Sequence, residues 1–148
     1  YTFLNFKRTV NLNNGNCWRP VVAKNPLPKS KVSTFSVKID KTDDKAEIMI
    51  GICPTSLKNS NNALYSQNGC IALYLYSSFS IRNKGGYTLL NHSSPKLGAI
   101  IKVQTDLIQN KVSFYCNNVL LQTVDLDINF VQAGDYYPYV ELYRADGQ

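Results

Sequence analysis

A chain of 148 residues with 44% hydrophobic content is long enough to bury one core and too short for two ordinary domains. No run approaches the roughly 20 apolar residues that cross a bilayer as a helix, and no secretory leader pattern opens the sequence. The net charge of +6, from 16 basic against 10 acidic residues, is spread singly rather than gathered into the basic stripe of a nucleic-acid footprint.

The densest basic groups are Lys24, Lys29 and Lys31, then Lys38, Lys41 and Lys45, and Asp40, Asp43 and Asp44 dilute the second. That pattern is a solvated basic surface, and neither nucleic acid nor membrane is expected as a partner. Cys17, Cys53, Cys70 and Cys116 show no C-x-x-C spacing, so no zinc site is expected; an even count permits two disulfides in a secreted protein, but a chain of this length does not need such staples and the thiols are read as reduced. A cytoplasmic or nuclear protein follows from that reading. The opening on Tyr1 rather than Met reads as a piece cut from a longer protein.

In chain order, Tyr1, Phe3, Phe6 and Val10 alternate imperfectly, and residues 11–16 are a turn cluster. Residues 1–16 are therefore expected to be peripheral, with residues 17–148 forming the core of one domain that spans 1–148. Trp18 reads as a packing anchor, since an aromatic residue leading into a strand usually packs. Residues 25–31 hold Pro26 and Pro28 and cannot pair as a central strand. They lead into a strand over 32–39, with Phe35, Val37 and Ile39 inward and Ser36 and Lys38 outward.

Residues 40–46 form a charged hairpin loop, and Ile48, Ile50 and Ile52 supply the next inward face. Gly51 in that strand signals a bulge or a close backbone approach. Residues 54–69 are a long polar loop, functional or mobile. Residues 71–76 are apolar on both faces, as in a strand buried between two sheets. Residues 77–81 extend it or begin its partner, 82–86 turn, and 87–96 form a second long loop.

Next comes a three-stranded meander. Ile101, Val103 and Thr105 alternate with Ile100, Lys102 and Gln104; Val112, Phe114 and Cys116 alternate with Lys111, Ser113 and Tyr115. Asp106 and Asn110 carry turn chemistry between them, and Asn117-Asn118 suits a tight hairpin because Asn tolerates positive φ. Asp125 and Asp127 alternate with Leu126 and Ile128 as a solvated strand edge or turn rather than a metal pair, and Gly134-Asp135 turns into the last strand. No stretch shows helical periodicity. About ten short strands predict an all-β, antiparallel, two-sheet β-sandwich.

Catalytic constellations are missing. Glycoside hydrolysis needs two carboxylates flanking one bond; Glu47 and Glu141 are the only glutamates, each read as a surface charge. His92, the single histidine, lies in a Ser-rich loop with no nucleophile elbow. Asp40, Asp43 and Asp44 make a poor calcium loop. No enzyme, cofactor or metal is predicted.

Four ordered pieces carry a family resemblance. They are Pro26-Leu27 followed by residues 34–39 (TFSVKI), residues 47–52 (EIMIGI), the meander with its Val112-Ser113-Phe114-Tyr115 strand, and residues 137–143 (YPYVELY). In this order they resemble a SPRY domain, whose fold is a concanavalin A-like jelly-roll sandwich. The chain departs from the family pattern at residues 69–74 (GCIALY), where a G-W-G-Y segment is common, and at Asn117-Asn118, which replaces Asn-Gly. The resemblance implies a non-catalytic protein-interaction module, often the recruiting part of a larger protein such as a ubiquitin ligase, with a protein or peptide as partner. Carried over by position, the implied partner-binding residues are Arg19, Pro20, Asn62, Tyr65, Tyr143 and Arg144. The other readings are a carbohydrate-binding module and a structural subunit of a large assembly.

Overall fold

The computed structural model describes residues 17–42, 46–92 and 96–144, with the side chain of Arg144 outside the described set. The expectations for residues 1–16, and for Asp43 and Asp44, therefore fall outside the described residues.

Among the described residues, ten strands form two antiparallel sheets. The six-stranded sheet contains β1 (Arg19–Val22), β3 (Ala46–Pro54), β4 (Ile71–Leu75), β5 (Phe79–Asn83), β6 (Gly86–Leu89) and β10 (Tyr136–Arg144), in the order β1-β10-β3-β4-β5-β6. The four-stranded sheet contains β2 (Ser33–Lys38), β7 (Ile100–Asp106), β8 (Lys111–Cys116) and β9 (Val119–Asp125), in the order β2-β7-β8-β9. The sandwich expected from the alternating pattern is the observed fold.

The core lies where the two inner faces meet. Ile48, Ile50 and Ile52 of β3, Ile71, Leu73 and Leu75 of β4, and Phe79 and Ile81 of β5 supply one side. Phe35, Ile101, Val103, Val112 and Phe114 supply the other. Each such side chain stabilises the fold by about 1.5–3 kcal/mol on burial. The buried hydroxyls of Ser33 and Thr105 bond each other at 2.9 Å, so neither is left unsatisfied.

β7 and β8 follow the expected runs and β9 continues past the expected Thr123 to Asp125; the turn residues Asn117 and Asn118 take φ of 48° and 66°. Gly51 resolves to close approach, not a bulge. β3 stays in continuous register with both neighbours, and a Cβ at Gly51 would sit 2.1 Å from the Ile71 carbonyl oxygen.

Four expectations need correction. Residues 40–46 do not close a hairpin, because β2 pairs with β7 in the four-stranded sheet while β3 belongs to the six-stranded one. Residues 87–96 do not begin as a loop, because β6 pairs with β5 through a Lys84-Gly85 turn with φ of 52° and 74°. All four β6 residues are exposed, so no inward-outward alternation marks the strand. Residues 128–133 form a helix, α1 (Ile128–Ala133), where only strand edge or turn was read. Asp127 caps it by accepting the Asn129 amide at 3.0 Å; six residues are too few for helical periodicity to show. Finally, β4 is covered on one face by the opposite sheet, but on the other by residues of the β3–β4 loop.

Candidate functional site

The outer face of the six-stranded sheet carries a second, smaller apolar layer. It takes Met49 and Cys53 from β3, Ala72 from β4, Tyr137 and Tyr139 from β10, and Leu64 and Cys70 from the loop between β3 and β4. That loop is pinned across the sheet. Thr55 donates its backbone N–H to the Asp135 carbonyl at 2.8 Å, and the Asp135 N–H returns to the Thr55 hydroxyl at 2.9 Å. Lys58 donates to the Lys24 carbonyl at 2.9 Å and lies 4.3 Å from the Tyr137 ring centre.

The firmest anchor is Glu141. Its side chain is fully buried, and its two carboxylate oxygens accept the backbone N–H groups of Leu64 at 2.7 Å and Tyr65 at 3.2 Å. The surface charge expected of Glu141 is thus overturned. The alternation rightly sends it to the outer face, but the loop folds over that face and seals it. Burial pushes its carboxyl above the ordinary carboxylate range, while the two amides pull the other way. Glu47 is half-buried, and the Tyr74 hydroxyl donates to its carboxylate. Burial and that bond both raise the Tyr74 phenol.

Beside the buried layer, aromatic side chains stay partly open to solvent. The Trp18 ring centre lies 5.3 Å from Tyr143, stacked, 5.4 Å from Tyr65, tilted, and 6.2 Å from Tyr74, edge-on. Tyr74 stacks on Tyr76 at 6.1 Å. Trp18 is a packing anchor, as expected, but one that carries two of the expected partner-binding residues on its faces.

The sequence-derived residues are therefore brought together only in part. Tyr65 and Tyr143 each pack against Trp18. Pro20 sits opposite Glu141 on the neighbouring strand, on the same outer side. Arg19 sits opposite Leu142, which packs on the inner core, so it leaves β1 from the other side and is exposed. Asn62 is exposed on the loop, its N–H bonded to the Ser60 hydroxyl at 3.1 Å. The side chain of Arg144 lies outside the described residues. Sequence reasoning missed Tyr74, Tyr76, Glu141 and Arg82 as members of this face; the outward alternation of Tyr74 and Tyr76 was visible, but what covers that face was not.

Among the described residues, no group of three or more His, Cys, Asp or Glu side chains is placed to hold a metal ion. No helix among them is long and apolar enough to cross a membrane.

The sequence profile of the SPRY domain matches residues 32–148. Among curated protein sequences, none matches this chain. Solved structures are similar in fold. The SPRY domain of human HERC1 shares 15% identity with a TM-score of 0.66, covering 88% of this chain and 77% of that one. A crystal structure of a human SPRY domain gives 14% identity and a TM-score of 0.65, covering 92% and 89%. The TRIM65 PSpry domain gives 13% and 0.63, covering 86% and 69%. With the profile spanning most of its length and the two-sheet architecture agreeing, this chain belongs to the SPRY domain family.

Proposed function

We propose that this domain recruits a partner protein or peptide through the corner of the outer face where Tyr65 and Tyr143 flank Trp18. SPRY domains are generally non-catalytic protein–protein interaction modules, which supports the reading at its coarse level. The observation that carries the finer one is the half-buried ring triplet, in which Tyr143 of β10 and Tyr65 of the β3–β4 loop lie with ring centres 5.3 and 5.4 Å from Trp18, the loop being tethered through the Tyr65 amide by Glu141. Rigid aromatic rings at a partly wet surface supply contact area at little entropic cost, and Tyr, Trp and Arg are the usual interface anchors. Pro20, Asn62, Arg144 and, from the far side of β1, Arg19 are read as further partner contacts. The role would be that of a recruiting part in a larger protein, such as a ubiquitin ligase.

The test is capture of interacting proteins by the wild-type chain and by Tyr65→Ala, Tyr143→Ala and Arg19→Ala variants. Each tyrosine substitution is expected to weaken a specific partner about tenfold or more, and Arg19→Ala less. Retention of every partner by the Tyr65→Ala, Tyr143→Ala double variant would remove this corner from consideration. Binding on a glycan array that disappears with the same rings would favour a carbohydrate-binding module instead.

A further inference from the structure

Arg82 lies on the outer face of β5, opposite Ala72 of β4 on one side and Tyr87 of β6 on the other. The small Ala72 side chain leaves room, and the guanidinium carbon settles 4.7 Å from the Tyr74 ring centre and 5.1 Å from that of Tyr87. Two electron-rich rings therefore flank the cation. Nothing acidic completes the arrangement: Arg82 forms no ion pair with the described residues, and nearby Glu47 is engaged by the Tyr74 hydroxyl. The Arg82 Nε is buried and has no hydrogen-bond partner. A buried, unanswered N–H on a permanently charged group is costly, and native structures seldom leave one without a reason.

We propose that Arg82 is an anion-receiving residue that takes one carboxylate side chain, an Asp or Glu, of the bound partner protein. The inference rests on the protein-interaction reading above, and adds to it the chemistry of one partner residue. With rings against it, the guanidinium has its edge left to offer, and Nε–H with the neighbouring Nη–H matches the two oxygens of a planar carboxylate. Nε is buried in the free chain, so the partner's carboxylate reaches it as the edge ring of Tyr87, 63% exposed, swings aside. A phosphate fits less well, because tetrahedral anions are held by clustered cations and the nearby ammonium of Lys96 is turned to the Ala46 carbonyl at 2.6 Å and the Tyr76 ring at 5.6 Å.

The probe is glutarate, titrated into the whole chain while the Arg82 Nε–H signal is followed in a proton–nitrogen correlation spectrum. The signal is expected to move saturably with glutarate and hardly at all with chloride or the neutral glutaramide. Tyr87→Leu should weaken the response about threefold or more. Arg82→Lys, which keeps the charge and loses the fork, should abolish saturable binding measured through the Tyr74 and Tyr87 ring signals. Unchanged thermal midpoints for both variants show that the fold is intact. A signal that glutarate moves no further than chloride overturns the proposal, and inorganic phosphate binding about tenfold tighter than glutarate overturns the carboxylate assignment. The two readings fail separately: saturable glutarate binding with no protein captured sinks the recruiting role alone, whereas a captured partner with no glutarate response sinks only the role of Arg82.

Discussion

Glu141 shows how one side chain decides what a loop can do. A carboxylate sealed from water is unfavourable unless hydrogen bonds replace the lost hydration, and here the amides of Leu64 and Tyr65 replace it. Glu141→Ala leaves both donors unanswered and should cost about 2–4 kcal/mol of stability in urea unfolding. The same substitution should loosen Tyr65 against Trp18, read as weaker ring-current shifts. The pH dependence has a fixed sign. Burial raises the folded carboxyl above its ordinary 4.5, so the folded state holds the proton more tightly and stability from this group falls as pH rises through the window above 4.5. Glu141→Gln removes that slope, so its stability should gain on wild type as pH rises through the window; parallel unfolding free energies at every pH would refute this. At Gly51 the issue is space alone. A Cβ 2.1 Å from the Ile71 carbonyl would pry β3 from β4, and Gly51→Ala should cost about 3 kcal/mol or more in the same assay.

At the level of elements, Asn117-Asn118 closes β8 on β9 with both residues at positive φ, and the Asn117 side chain also accepts the Ile100 amide at 2.9 Å. A β-branched residue resists that backbone region, so Asn118→Val should destabilise by about 1–2 kcal/mol in thermal unfolding. This hairpin was legible because its signals are local: two Asn between two alternating strands. The inward faces of β3, β7 and β8 were legible for the same reason. Other features depended on partners distant in sequence. Glu141 is buried by a loop 77 residues away, and no neighbouring residue announces that. Arg19 leaves β1 on the side opposite Pro20, and only the pairing of β1 with β10 fixes which residues share a side, since a one-residue slip would exchange the two. β6 and α1 escaped because an exposed strand has no alternation and a six-residue helix has no period.

Over the whole molecule, two apolar layers share one sheet: the sandwich core inside and the loop-covered layer outside. No disulfide joins the four cysteines; Cys53 and Cys70 lie in the outer layer and Cys116 in the inner one. Burial pushes the Cys53 thiol up to about 12 and raises Cys70 as well, so little reactive thiolate forms at neutral pH. Under native conditions Cys17, which is exposed, should react promptly with a maleimide, and Cys53, Cys70 and Cys116 only at the rate of unfolding. Prompt labelling of Cys53 or Cys70 would show that the covering loop opens on its own.

That covering loop has one more implication, for anyone who would retarget the domain. Its upper side holds Asn62 and Tyr65, where new recognition would be written, while Leu64 on its underside is part of the protein's interior. Variation at exposed positions such as Asn59, Asn61 and Asn62 can explore new ligands, but wholesale transplantation of a foreign segment would tear out interior packing. With the proposed site, choice of ligand and resistance to unfolding would be written into adjacent residues, and a library that ignores the difference would be populated largely by chains that no longer hold together.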